Sequence, residues 1–299
     1  MSKKINIYDR ATEALCGMLE EAGKDWSKPW TYTRHKNVVS NKPYRGVNIH
    51  LLNYTHLCSC QDPEDNREVG KSGIWGTFKQ WSSINCKVKG QGSIITYFNM
   101  VTKLEKDSKG EEVINKIPIW KTYYVFGAEQ VEGYEIPVIN ETNPDMQFEI
   151  AENYFSGTGA KLVDDDHAYY TPALDYIGMP KFEKFDSADS YYNTLFHELA
   201  HWTGHESRLD RNSVTKFKVS KFSDDYAYEE LIAELGGMFN CLSLGIVSTP
   251  QKGNAQYINS WLGALKDNKR LVFRASKQAQ QVVDYTDKLT ESIEFKEAV

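Results

Sequence analysis

A helical turn with two histidines and a glutamate is the part of this chain with the clearest chemistry. The run His-Glu-Leu-Ala-His occupies positions 197–201. Histidines four residues apart project from the same face of a helix, so the imidazoles of His197 and His201 can bind one metal ion. Glu198 adjoins the first histidine and can hold a water on that ion and accept its proton. The alternative is a solvated helix face with an incidental glutamate, but the spacing favours a catalytic metal site.

The flanking residues predict a helix that carries this motif. The stretch 186–190 offers several N-cap candidates, and Gly204 is a candidate C-cap. His205 follows the predicted helix end and could bind the metal. We expect it instead to be a structural residue or one that supports a ligand.

A second helix around 228–237 is expected to supply the third metal ligand. Glu230 is the predicted ligand, because two histidines and one carboxylate leave a coordination position open for water. Glu234 can orient a histidine ring, whereas Glu229, about 100° away from Glu230, is the alternative ligand or a second orienting carboxylate. A solvated acidic edge is the other interpretation of these glutamates. The predicted buried stripe of this helix consists of Leu231, Leu235, Met238 and Leu242. The small residues Ala233 and Gly237 lie on the opposite side.

Length and composition favour a protein of two domains that crosses no membrane. The chain has 299 residues, and single hydrophobic cores rarely grow beyond about 250–300 residues. It contains no apolar run of about 18 residues, and its first residues lack the apolar segment of a signal peptide. Five cysteines without a C-x-x-C pair argue against a disulfide framework and against a cysteine-type zinc site. We therefore expect a cytoplasmic protein.

Charge is distributed unevenly between the two halves. Residues 1–137 carry 19 basic and 16 acidic side chains, whereas residues 138–299 carry 16 and 25. The net charge of −6 argues against nucleic-acid binding, but a mildly basic first half is compatible with a phosphate-binding groove. The Asn/Thr/Pro-rich run 138–147 predicts a linker between domains at 1–137 and 148–299.

The first half is predicted to be a small α+β domain. An amphipathic pattern indicates a helix over 5–22, and Thr77 can cap a helix over 74–83. Strands are predicted at 44–54, 92–102 and 117–126, with a hairpin tip at 106–111 and a surface loop around Cys58 and Cys60.

Aromatic residues of the first half alternate with cations and glycines. Single-stranded DNA is bound in this way, because bases stack on aromatic rings while Lys and Arg follow the phosphates. The alternative is that the tryptophans and tyrosines only fill the core. The candidate DNA-binding residues are Trp30, Arg45, Trp75, Lys79, Lys87 and Lys89.

The second half is predicted to be mainly helical with a small sheet. Helices are expected at 146–156, 256–265 and 267–288, and two short strands around a turn within 168–180. That segment is the candidate edge strand for pairing with an extended substrate. Tyr257 or Tyr169 could donate to a developing oxyanion, although a packing role is the alternative for either.

Two long motifs extend beyond the metal residues, at 197–211 (HELAHWTGHESRLDR) and at 228–236 (YEELIAELG). With them the chain resembles antirestriction proteins of the ArdC type. The resemblance implies an N-terminal single-stranded-DNA-binding domain and a C-terminal zincin-like metallopeptidase domain that protect incoming plasmid or phage DNA. It also implies Zn²⁺, or another divalent ion such as Mn²⁺. The implied partners are single-stranded DNA and a host protein substrate such as a restriction component.

Two other functions stay open at this point. The zincin-like domain could be a catalytically idle, metal-stabilised scaffold of a DNA-binding protein, but a structural site has no use for Glu198. A nuclease is disfavoured by the acidic second half, and because nucleases usually cluster carboxylates around two ions.

Overall fold

The first half of the chain folds around a long β-hairpin flanked by helices. The computed structural model describes residues 6–24, 33–61, 68–106, 112–137, 144–211, 214, 224–246 and 258–297. The elements of the first half are α1 (Ile7–Lys24), β1 (Lys36–Asn37), α2 (Val47–Gln61), β2 (Ile74–Gly76), α3 (Phe78–Ser83), β3 (Lys87–Val88), β4 (Ser93–Lys106), β5 (Glu112–Gly127) and β6 (Val131–Glu132).

The β4–β5 hairpin dominates the sheet of this half. The strands pair antiparallel from Ser93 opposite Val125 to Lys106 opposite Glu112. The four-stranded sheet has the order β1-β2-β5-β4, and β3 pairs with β6 in a separate ribbon. The strands predicted at 92–102 and 117–126 are therefore confirmed, and both are longer than predicted. The tip residues 107–111 lie outside the described residues.

Two local predictions for the first half are wrong. The stretch 44–54 was expected to be a strand, but its larger part begins helix α2. Val47, Ile49 and Leu51 alternate as in a strand, yet the structure buries Val47, His50 and Leu51, which is helical spacing. Cys58 and Cys60 consequently lie on α2 and not on a loop.

Thr77 caps α3 as predicted. Its side chain accepts a hydrogen bond from the Gln80 N–H, and the Gln80 side chain accepts one from the Thr77 N–H, which forms a capping box. The predicted helix over 74–83 is shorter than expected, because residues 74–76 form strand β2.

The second half is mainly helical and contains a three-stranded sheet. Its elements are α4 (Pro144–Thr158), β7 (Leu162–Asp164), β8 (Tyr169–Thr171), β9 (Tyr176–Met179), α5 (Ala188–Thr203), α6 (Asp224–Leu244), α7 (Ile258–Asp267) and α8 (Leu271–Glu297). The sheet order β7-β9-β8 leaves β8 at an edge. The two short strands predicted within 168–180 are confirmed, with Asp175 at a positive φ in the turn between them.

The predicted linker 138–147 overlaps helix α4. That helix begins at Pro144, while 138–143 lie outside the described residues. The predicted boundary between the domains stays a prediction. The α+β class and the two-part architecture agree with the expectation from the sequence.

The largest hydrophobic core contains residues from both halves. Helix α1 contributes Leu15 and Leu19, both fully buried, and it packs against α7 and α8. Leu231 and Leu235 of α6 belong to the same core, as the predicted stripe of that helix requires. A second core forms between α4, α5 and β9, and smaller ones lie beneath the β4–β5 hairpin. Among the described residues, none of the helices is apolar over enough length to cross a membrane.

Candidate metal centre

Helix α5 carries the histidine motif and runs very close to α6. Ser187 caps its N-terminus by accepting a hydrogen bond from the Ser190 N–H, and the helix ends at Thr203 with Gly204 as its C-cap. A Cβ atom at Gly237 of α6 would lie 2.9 Å from the backbone nitrogen of His197. The small face predicted for α6 is therefore where α5 packs, which brings the glutamates of one helix to the histidines of the other.

Three side chains from these two helices converge on one point. The Nε2 atoms of His197 and His201 are 3.2 Å apart. Glu230 lies 3.4 Å from the first of these nitrogens and 3.6 Å from the second. Ligands at about 2.0–2.1 Å from a tetrahedral ion are about 3.3 Å from one another. The donor set and its spacing therefore fit a divalent metal ion, and the three residues form a group of potential ligands among the described residues.

Two further carboxylates lie behind the histidine rings. Glu229 is 3.3 Å from Nδ1 of His201, and Glu234 is 3.4 Å from Nδ1 of His197. A carboxylate on Nδ1 holds the ring so that Nε2 faces a metal. The position of Glu229 on the far side of His201 favours Glu230 over Glu229 as the third ligand.

Arg211 is a buried residue of the site that the sequence analysis did not single out. Its guanidinium donates to both carboxylate oxygens of Glu229, to the Ala200 carbonyl and to the Thr203 hydroxyl. Arg211 thereby compensates the buried charge of Glu229 and also caps the C-terminal turn of α5. It belongs to the long motif at 197–211, but it lies beyond the end of helix α5, so helical spacing does not relate it to the histidines.

The charges of the site depend on one another. Burial opposes ionisation of Glu229, but Arg211 and His201 outweigh it and lower the pKa of its carboxyl to about 2. Burial likewise opposes protonation of His201, but Glu230 and Glu229 raise the pKa of its imidazole to about 9. Burial also opposes ionisation of Glu230, but His201 and His197 outweigh it and lower the pKa of its carboxyl. The site thus attracts positive charge.

Glu198 lies beside this group and differs from the other glutamates. Burial raises the pKa of its carboxyl, against the opposing effect of His197 and His201. It accepts a hydrogen bond from the Tyr170 N–H of the edge strand β8. The predicted edge strand therefore runs next to the candidate base.

The other candidate site residues of the second half lie apart from the three candidate ligands. The Nδ1 atom of His205 is 2.8 Å from the Ser207 hydroxyl, and His205 is not in the ligand group. The hydroxyl of Tyr169 donates to Asp165 and lies 3.1 Å from that of Tyr176. Tyr257 lies outside the described residues.

Trp75, one of the predicted DNA contacts, is a core residue. Its side chain is fully buried and its indole N–H donates to Nδ1 of His35 over 2.9 Å. A base cannot reach this ring, so the prediction that Trp75 stacks on DNA is wrong. The composition of the segment could not separate a buried tryptophan from an exposed one.

The remaining predicted DNA contacts differ in their exposure and in their ion pairs. Arg45 forms an ion pair with Asp284 of α8, and Lys89 forms one with Glu132. Lys79 and Lys87 are exposed. Trp30 lies outside the described residues.

The fold and the site together define a zincin-like protein with an added N-terminal module. A family model described as "Zincin-like metallopeptidase" matches residues 149–278. A second, described as "N-terminal domain of anti-restriction factor ArdC", matches residues 5–126.

Similar proteins extend this assignment over nearly the whole chain. The crystal structure of the antirestriction ArdC protein from plasmid R388 in its metal-free form has a TM-score of 0.74 and 34% identity, covering 96% of this chain and 99% of that one. Its Mn(II)-bound structure has a TM-score of 0.70 and 33% identity, covering 96% and 98%. The uncharacterized protein y4eC of Sinorhizobium fredii is 33% identical, covering 94% of this chain and 91% of that protein. This chain belongs to the ArdC family of antirestriction proteins.

A DNA primase contains a similar region. The chain is 32% identical to part of DNA primase TraC of Escherichia coli, with 95% of this chain aligned to 20% of the primase. The two-part module therefore also occurs within a much longer protein.

Proposed function

We propose that this antirestriction protein binds single-stranded DNA without sequence preference and hydrolyses peptide bonds at a divalent-metal site. The observation that carries the proposal is the group of His197, His201 and Glu230 with Glu198 beside it. A structural metal site fills four positions with protein ligands, whereas three protein ligands leave a position for water. The adjacent carboxyl group gives that water a proton acceptor.

Zn²⁺ is the ion that we propose for the site. Two imidazoles and a carboxylate in tetrahedral spacing are typical zinc ligands, and the distances in this chain fit them. Mn²⁺ is the alternative, since one solved relative is described as Mn(II)-bound. When bound, the ion would supply Lewis-acid activation of a water molecule and of the substrate carbonyl.

Glu198 is the proposed general base. It takes a proton from the attacking water and returns that proton to the leaving amine. The raised pKa of its buried carboxyl suits proton transfer near neutral pH. The Tyr170 N–H orients this carboxyl group, and the edge position of β8 suits pairing with an extended peptide.

We propose that the first half contacts DNA and that the protein acts in the cytoplasm of a cell receiving DNA. The match to the ArdC N-terminal domain and the excess of basic residues over 1–137 support a role in binding phosphates. Lys79 and Lys87 remain proposed contacts, and so does Trp30. A host protein such as a restriction component is the proposed peptidase substrate.

A metal-stabilised scaffold without catalysis is the second candidate. The observation that favours it is the burial of the site between α5 and α6, where an ion would join two core helices. Such an ion would raise the free energy of unfolding without any role for Glu198.

The Glu198→Gln variant separates these two functions. The amide keeps the size of the side chain and removes the base, so metal content should match the wild type. Self-cleavage and casein cleavage should fall by about 10²–10⁴-fold. Glu206→Gln, at an exposed position, is the matched control and should cleave like the wild type. A metal-loaded wild type that cleaves nothing would favour the scaffold, and equal cleavage by Glu198→Gln would rule out Glu198 as the base.

A further inference from the structure

One face of the β4–β5 hairpin carries exposed tyrosines and lysines. In antiparallel strands, directly opposite residues point to the same face, and successive residues alternate between the two faces. Tyr97 lies opposite Lys121, and Ile95 lies opposite Tyr123, so all four share a face. We call its exposed part the Tyr97 face; among the described side chains it consists of Tyr97, Asn99, Val101, Lys103, Lys121 and Tyr123.

The two tyrosines of this face form a ring pair that is open to solvent. Tyr97 is 49% exposed and Tyr123 is 41% exposed. Their ring centroids are 6.3 Å apart and the rings are nearly perpendicular. Lys121 is exposed directly across the hairpin from Tyr97, at the spacing of neighbouring strands, about 4.8 Å. Aromatic rings and a cation thus lie within reach of one nucleotide.

The inner end of the same face is anchored in the core. Ile95 and Val125 are buried together with Trp75, and Tyr44 packs against them. The Asn48 side chain donates to the Thr96 carbonyl and accepts from the Thr96 N–H, each over 2.9 Å. The base of the hairpin is therefore held rigidly, and the exposed rings next to it are positioned before any ligand binds.

We infer that single-stranded DNA stacks its bases on Tyr97 and Tyr123 while Lys121 contacts its phosphates. This inference rests on the proposed function, and it names the surface that would bind the single-stranded DNA. Charge complementarity favours DNA as the occupant, because Lys121 lies directly across from Tyr97, Lys103 lies further along the same face, and the nucleic acid supplies the anions. Trp75 packs in the core at the inner end of this face, which is a different role from the stacking first predicted for it.

The opposite face of the hairpin provides a matched control. Tyr124 is adjacent to Tyr123 in the sequence and is 50% exposed, but it points to the other face, where it lines a cleft of about 610 Å³ with Gly92 and Arg10. Substitutions at the two neighbouring tyrosines therefore remove rings of similar exposure from the same strand. A general effect on the hairpin would appear in both variants.

The test measures binding of labelled oligothymidylate and of a duplex by fluorescence anisotropy, with the full-length chain. Wild type should prefer the single strand. Tyr123→Ala should weaken that binding about 5- to 150-fold, whereas Tyr123→Phe and Tyr124→Ala should bind like the wild type. Lys121→Ala should flatten the dependence of log affinity on log salt by about 0.7. Thermal unfolding of each variant checks that the fold is kept.

Four outcomes would overturn the inference or the proposed function on which it rests. Undiminished binding by both Tyr123→Ala and Lys121→Ala, or an equal loss in Tyr124→Ala, would exclude the Tyr97 face while leaving DNA binding intact. If the wild type binds neither DNA form, or binds both equally, the proposed preference for single strands is refuted. The assignment of the Tyr97 face is then refuted as well.

Discussion

Arg211 lies behind Glu229, and Glu229 lies behind His201. The chain of contacts runs from the guanidinium through the carboxylate to Nδ1 of the ring, whose Nε2 faces His197 and Glu230. A buried carboxylate stays ionised only with such a partner. The histidine spacing predicted His197 and His201 as ligands, but the contribution of Arg211 could not be predicted, because it depends on the loop after α5 folding back onto α6.

We predict that Glu229→Gln weakens metal binding about 10- to 100-fold, which is typical when a residue that orients a ligand is changed. The amide is a poorer acceptor for His201 and leaves the charge of Arg211 without its carboxylate. Competition with a chelator measures the affinity, and Glu206→Gln, at an exposed position, is the control. Unchanged affinity in Glu229→Gln would show that this contact does not support the metal site.

At the scale of elements, the metal site depends on how closely α5 and α6 approach. The apolar stripe and the small face of α6 could be predicted, because residues three and four positions apart in a regular helix lie on the same face. Helix α2 could not be predicted, because the apolar residues Val47, Ile49 and Leu51 fit the pattern of a strand as well as that of a helix. Packing against α1 and β4 decides between the two.

Gly237→Ala tests the approach of the two helices. The added methyl would lie 2.9 Å from the backbone of His197, so α6 must shift away and carry Glu230 with it. We predict a loss of about 1–3 kcal/mol in the free energy of unfolding together with weaker metal binding.

Gly263→Ala is the matched control for this substitution. It lies inside α7 with no atom within 4 Å of the new methyl. Because alanine is the better helix former, Gly263→Ala should raise the free energy of unfolding by about 0.5–1 kcal/mol. Urea unfolding and metal titration of both variants check the pair, and equal effects would contradict a role for the close approach.

At the scale of the whole molecule, the two family modules share a hydrophobic core. Helix α1 belongs to the segment matched by the ArdC N-terminal domain, yet it packs on helices of the zincin-like half. Composition and charge indicated two parts, and the family models agree. The shared core could not be predicted, because an amphipathic pattern shows that α1 has a buried face but not which partner covers it.

Leu15→Ala should therefore destabilise both halves. Leu15 is fully buried in the shared core, and such a truncation costs about 2–5 kcal/mol. We expect one unfolding transition at a lower temperature, with release of metal at that same temperature. Val39→Ala, at a position 53% exposed, should leave both unchanged. Metal release at the wild-type temperature in Leu15→Ala would mean that the halves unfold independently.

Metal content tests the central claim most directly. If His197, His201 and Glu230 are the ligands, elemental analysis of the purified wild type should find one divalent ion per chain. His197→Ala should lose most of it, whereas His167→Ala, which removes an exposed histidine, should keep it. A full ion per chain in His197→Ala would contradict the site.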